Sequence, residues 1–324
     1  MPRTPAGPSM TRPAGGASDQ ALSGTLYALA AFGLWGFTPI YFKAVAEVPA
    51  TEVFAHRVVW GALLLCAILL LRGRGDMLLR ELRTPRRLRF YCASTLFLSC
   101  NWLVFIWAIQ HSHILQVSLG YYINPLVNVL LGMVFLRERF SLTQTAAVVL
   151  AAAGVLIMVA GFGAVPWIAL VLAFSFATYG LLRKTAAIGA MLGLCMEVLL
   201  LLPVALAYLG LRAWNGTGAF HLLSPGIDLL LMLAGPITAL PLLCFLEAAR
   251  RLRLSTLGLL QYLAPTLQFL LAVFAYGEPF DHRQLVTFAC IWIALAVYSR
   301  DAFAARRAGR RAPSGPAMEE GPRR

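Results

Sequence analysis

The residues of this chain that could do chemistry lie inside runs of apolar sequence. Tyr121, Asn124 and Asn128 are spaced i, i+3 and i+7, which on a helix puts a phenol and two amides on one face. A later apolar run presents Gln261, Ala264 and Gln268 at the matching places, with Tyr262 beside Gln261. Neutral groups of this kind can line a ligand cavity or hydrogen-bond one helix to another, and either use turns them to the interior of a helix bundle. We expect them to line a cavity, because the polar stripe occurs in both runs. Pro125 and Pro265 lie in the same two runs. Each removes a backbone hydrogen bond, which frees the carbonyl of Tyr121 or of Gln261 and marks a candidate hinge.

Ionisable groups add to this set. His56 and Arg57 open another apolar run, with Trp60 one turn beyond His56. An arginine there can hold an anionic group bidentately or reach to a membrane surface. Glu197, in Cys195-Met196-Glu197-Val198 with Pro203 following, has no basic residue within a turn. It is a candidate for proton coupling, together with His56, and the alternative is a neutral acid bonded to a neighbouring helix. Asn101 and Trp102, with Phe105 close by, offer an amide and an aromatic surface to an amphipathic ligand, or simply pack.

Other chemistries find no residues. No apolar run holds two acids, as metal-diphosphate chemistry would need, and no GxxxxGK[ST] loop for ATP occurs. No catalytic residue or cofactor is expected. His111 and His113 are two apart and point to different sides of a helix, while the six cysteines lie in apolar runs without a CxxC pair, so no metal site is expected. Glu138 and Glu278 precede Ser141 with Gln144 and Asp281 with Gln284, each at capping-box spacing, which makes them helix-end groups.

The elements that carry these residues follow from composition. Of 324 residues 60% are hydrophobic and 13% charged, against roughly a quarter charged in a soluble domain. Apolar segments long enough to cross about 30 Å of hydrocarbon run near 22–42, 54–71, 90–109, 114–136, 142–161, 166–182, 191–211, 228–249, 255–276 and 284–300. The expectation is an all-α integral membrane protein of ten transmembrane helices. Residues 1–21 are rich in Pro, Gly, Ser and Thr and read as a disordered tail, and 301–324 as a basic one. With both termini cytoplasmic, 23 of the 27 Lys and Arg residues fall inside, leaving Lys43, Arg57, Arg212 and Arg283 outside. The positive-inside rule thus accounts for the net charge of +13 through orientation and anionic inner-leaflet lipids, without a nucleic-acid partner.

Sliding the chain on itself by 140 residues aligns Tyr122 with Tyr262, Pro125 with Pro265, Glu138 with Glu278 and Gln144 with Gln284. Two five-helix repeats, 22–161 and 166–300, follow. Five is odd, so the copies must be inverted in the membrane, an architecture of secondary transporters whose midplane site opens to each side in turn.

Trp35-Gly36-Phe37-Thr38-Pro39-Ile40-Tyr41-Phe42-Lys43, His56-Arg57-Val58-Val59-Trp60 and Asn101-Trp102 carry a resemblance, together with Ser118 through Leu126, Glu197 with Pro203, and Gly258 through Thr266. Over about 22–300 the chain resembles members of the drug/metabolite transporter superfamily that have two EamA repeats. The resemblance implies a ten-helix permease of the bacterial inner membrane that exports a small metabolite by alternating access. It names no substrate. Two other classes stay open from the sequence, a membrane sensor or scaffold whose arginine-rich tail binds a partner, and an enzyme on lipid-linked substrates. Direction of transport, coupling ion and oligomeric state are not legible.

Overall fold

The computed structural model describes residues 15–110, 113–160, 165–186, 188–275 and 282–311. These residues are helical almost throughout. In chain order the helices are α1 (Gly15–Gly36), α2 (Thr38–Ala44), α3 (Ala50–Leu71), α4 (Gly75–Leu82), α5 (Pro85–Gln110), α6 (Ile114–Leu136) and α7 (Leu142–Ala160). There follow α8 (Trp167–Thr185), α9 (Ala190–Trp214), α10 (Pro225–Arg251), α11 (Leu254–Gln261), α12 (Leu263–Leu270) with a π-turn over Leu271–Ala275, and α13 (His282–Arg311).

The expected spans correspond to these helices, with four differences. α1 begins at Gly15, inside the segment read as a disordered tail, and ahead of the expected start at Leu22. The first span is interrupted at Phe37, because Pro39 lies in the first turn of α2 and has no N–H to continue the ladder. The arginine-rich stretch after residue 71 folds as the amphipathic α4, with Asp76 in its first turn and Arg80 in its last, charges that suit the helix dipole. Finally, nine segments of the described residues are long and apolar enough to cross a membrane, whereas the apolar part of α13 covers only Leu285–Tyr298, about 21 Å at 1.5 Å per residue.

Water does not suit the outside of this bundle. Leu71 is 87% exposed, Leu142 92% and Phe274 81%, and apolar side chains turned outward along membrane-length helices face lipid. Inside, α3 packs on α9 and α10, α5 on α8 and α9, α6 on α8 and α11, α1 on α10 and α12, and α7 on α13. Small residues set the closest crossings, as expected where helices associate in lipid. A Cβ on Gly235 of α10 would lie 2.5 Å from the Trp60 carbonyl carbon of α3, and one on Gly258 of α11 would lie 2.7 Å from the Pro125 oxygen of α6.

The two prolines behave differently. α6 runs through Pro125 without interruption. Before Pro265 the helix breaks at Tyr262, between α11 and α12, and the Tyr262 carbonyl accepts from both the amide and the hydroxyl of Thr266. The expected capping box is present at the start of α7, where Ser141 Oγ accepts from Gln144 N–H at 3.1 Å and Gln144 Oε1 from Ser141 N–H at 3.3 Å. Glu138 does more than end a helix. Its carboxylate accepts from the amides of Leu254 and Ser255 and from the Ser255 hydroxyl, capping α11. Glu278, Asp281 and His111 lie outside the described residues.

A candidate binding cleft around Arg57

α3, α5, α9 and α10 meet around a narrow cleft whose free volume in this conformation is about 10 Å³, room for about one water molecule. Arg57 and Gly61 come from α3, Trp102 from α5, Leu194 and Val198 from α9, and Gly235 and Thr238 from α10. Of the two roles that its place near the start of α3 left open, Arg57 takes the inward one and is turned into the bundle. Its Nε donates to Thr238 Oγ1 at 2.7 Å, and Thr238 in turn donates to the Ala234 carbonyl. The guanidinium carbon lies 5.1 Å from the Trp102 ring centroid and 6.0 Å from that of Phe42. Rings within about 6 Å stabilise a cation through their quadrupoles. Aromatic contacts extend this wall from Trp102 to Phe54, and from Phe42 through Phe105 to Tyr121. Tyr121 is 39% exposed and stands with these rings rather than with the amides of its own helix.

The amides form a different site. Asn124 Nδ2 donates to the Ala173 carbonyl of α8 at 2.9 Å, and Asn128 Nδ2 donates to Asn124 Oδ1 and to Gln261 Oε1 of α11, each at 3.0 Å. All three residues are buried. Gln268 donates to the Trp35 carbonyl at the end of α1, and Asn101 to the Leu172 carbonyl and the Ser175 hydroxyl of α8. Tyr262 donates to the carbonyl of Tyr122, the residue that precedes it by 140 positions. In the conformation described, these groups join helices and do not face the Arg57 cleft. The expected pair of polar walls is drawn together and closed by its own hydrogen bonds.

Glu197 is fully buried and, unlike the sequence reading, has a basic partner. Oε1 accepts from Ser94 of α5 at 2.7 Å and Oε2 from Tyr179 of α8 at 3.0 Å, while Arg183 Nη1 stands 3.7 Å away. Arg183, expected among the arginines at the membrane surface, is 3% exposed. Its guanidinium lies directly against Gly193, one turn before Glu197, where a Cβ would overlap it. The second coupling candidate differs. His56 is buried beside the Phe220 ring at 5.1 Å, and neither ring nitrogen has a hydrogen-bond partner among the described residues.

Sequence reasoning missed Thr238, Ser94, Tyr179 and Arg183 as partners, because each reaches its group from another helix. It also missed Glu52, which is buried and accepts from Arg212 at 3.2 Å and from the Ala219 amide at 2.5 Å, fastening the connection between α9 and α10. Among the described residues no group of three metal-ligating side chains occurs.

Comparison with known proteins agrees with this architecture. The pattern of the EamA-like transporter family matches residues 22–160. Protein RarD of Salmonella typhi is 49% identical over 290 residues, covering 90% of this chain and 99% of that protein. An uncharacterized transporter of Vibrio cholerae is 49% identical over 294 residues, covering 91% and 97%. A solved crystal structure at 21% identity superposes with a TM-score of 0.68 over 87% of this chain and 99% of that one, which speaks for the fold alone. With its apolar helices, buried polar groups and near-complete match to these relatives, the chain is a multi-pass membrane protein of the EamA-like transporter family, within the drug/metabolite transporter superfamily and among its RarD members.

Proposed function

We propose that this protein is a secondary transporter of the bacterial inner membrane that exports a small metabolite or drug-like molecule by alternating access, with the Arg57 cleft as its binding site. One observation carries the reading: the cleft is built from both halves of the chain, α3 and α5 of the first and α9 and α10 of the second. A site shared between two repeats changes its exposure when one rocks against the other.

The packing of helices supports the inverted repeat on which this depends. Replacing each helix by its counterpart 140 residues away turns the α6–α8 contact into α12–α1, α1–α10 into α8–α5, and α3–α10 into α9–α5, and all of these contacts are present. Tyr262 meeting Tyr122 is what a pseudo-twofold axis between α6 and α11 requires. In this reading the domains are 22–161 and 166–300, both termini are cytoplasmic, and the break at Tyr262 near Pro265 is a hinge, with Pro125 its stiffer counterpart. The amides Asn124, Asn128, Gln261 and Gln268 hold one conformation and exchange partners in the other. Glu197 is the candidate for proton coupling, because its donor Ser94 belongs to α5 of the other half and would separate from it as the halves move, while Tyr179 and Arg183 of α8 stay with it in its own half. The arginines of α4 and of the tails bind anionic lipid headgroups.

The test needs no substrate. A Thr238→Cys variant in a cysteine-free background is treated with a membrane-impermeant maleimide in whole cells and in inverted vesicles. A transporter predicts modification from either side. Modification from one side alone, with or without ligands, would favour a static sensor or scaffold.

A further inference from the structure

We propose that the Arg57 cleft is an anion site, and that the transported molecule is a small organic monoanion, a carboxylate or phosphate group on a planar apolar body, rather than a zwitterion or a cation. The proposal rests on the transporter reading and adds the substrate class.

The argument starts from charge. A cation within the bundle of a membrane protein is expensive unless paired, or unless it faces a cavity in which it meets its ligand. Two other arginines at least partly buried have acids, Arg183 with Glu197 inside the bundle and Arg212 with Glu52 at the end of α9. Arg57 has no ion pair among the described residues, and its one hydrogen bond uses Nε on a neutral hydroxyl. That bond fixes the plane of the guanidinium and leaves both terminal nitrogens uncommitted. Arg57 is itself only partly buried. A pair of parallel N–H donors on one side of a planar cation is the geometry that receives a carboxylate or phosphate bidentately.

The rest of the lining decides between anions and other molecules. Besides Arg57, the cleft presents one hydroxyl, an indole, and otherwise glycines and aliphatic side chains, with no acid. An amino acid would leave its ammonium group without a partner there, and such a desolvated charge is disfavoured more than a missing contact. An organic cation would face Arg57 itself. The apolar part of the ligand meets Trp102 and, beyond it, the wall of Phe42 and Phe105, which favours a flat body over a sugar or polyol. The same chemistry could come from the headgroup of an anionic lipid, which the experiment separates.

The protein is reconstituted in phosphatidylcholine nanodiscs, and thermal stabilisation is recorded with benzoate, phenylacetate and phenyl phosphate. Benzamide and phenylacetamide serve as neutral counterparts, and benzylammonium and phenylalanine as cation and zwitterion. The expected result is stabilisation by at least one anion with an apparent affinity about tenfold or more above its neutral counterpart, since a charge-assisted pair is markedly stronger than a neutral one. The preference should vanish in Arg57→Gln and persist, weakened, in Arg57→Lys. Thr238→Val, which removes only the group that orients Nε, should reduce it while keeping a monodisperse protein, so loss of folding in Arg57→Gln would not hide the answer.

No anion exceeding its neutral counterpart, or a preference unchanged in both Arg57→Lys and Thr238→Val, would overturn the proposal. So would saturation of the effect by phosphatidylglycerol nanodiscs with no further response to free anions, which would make the site a lipid site. Failure of the transporter reading looks different. The anion would bind with Arg57 dependence, yet Thr238→Cys would be modified from one side only.

Discussion

Gly193→Ala tests the Glu197 cluster without altering a charged group. A methyl group at position 193 would occupy the space of the Arg183 guanidinium, which lies within the protein and also donates to the Ala190 carbonyl at 3.2 Å. The arginine must then leave, and it starts close to the end of α8, from which it can reach the membrane surface. Glu197 stays behind with the hydroxyls of Ser94 and Tyr179. Breaking a buried pair from one side costs about 3–5 kcal/mol, so a loss near 3 kcal/mol is expected after the roughly 1 kcal/mol that alanine gains over glycine in a helix. Glu197→Gln alone strands Arg183 instead and costs a similar amount. In the double variant the arginine is outside and the group left within is a neutral amide, whose oxygen accepts from one of the two hydroxyls and whose NH2 donates to the other. The two effects should therefore fall short of their sum by about 2 kcal/mol. Reversible unfolding of the four proteins in bicelles measures this, with Gly33→Ala, whose Cβ would meet nothing within 4 Å, as the neutral control. Additivity to within about 0.5 kcal/mol, or a Gly193→Ala protein as stable as its parent, would refute the assignment of Arg183 and Glu197 as one unit.

Four further outcomes follow from the geometry. Asn128→Ala removes two hydrogen bonds and leaves the acceptors of Asn124 and Gln261 buried, so thermal unfolding should show a loss of about 1–2 kcal/mol. Gly235→Ala pushes α10 from the backbone of α3 beside the cleft, and should both destabilise and weaken ligand stabilisation, whereas Gly33→Ala should do neither. Glu138→Ala strips the cap of α11, which should lower stability by about 1–2 kcal/mol and raise hydrogen exchange at Leu254 and Ser255 ahead of the rest of that helix. Cys66 of α3 and Cys195 of α9 have their sulfurs 3.5 Å apart as free thiols. Mild oxidation should therefore link them within one chain, seen as a joined peptide pair in mass spectrometry, and in a Thr238→Cys variant that keeps only Cys66 and Cys195 of the native cysteines the link should block alternating labelling at position 238 if α3 and α9 move apart during transport.

The linear chain determined whatever depends on solvent and period. A bilayer requires every backbone polar group to be satisfied within its own helix, so runs such as Ile114–Leu136 and Leu142–Ala160 could be placed almost to the residue. The capping box at Ser141 and Gln144 is a local hydrogen-bond pattern, written in four consecutive residues, and was legible for the same reason. Relations between helices were not. Glu197 reads as an isolated acid because its partners, Ser94, Tyr179 and Arg183, lie on helices that only packing brings to it. From its place on α3, Arg57 reads equally as a ligand-binding or an interfacial arginine, and only the crossing of α10 supplies Thr238 to hold it inward. The stripe of Tyr121, Asn124 and Asn128 shows why spacing alone falls short. Helical periodicity fixes which side chains share a face, but what that face meets, the ring of Phe105 for Tyr121 and the amide of Gln261 for Asn128, is settled by how the helices cross.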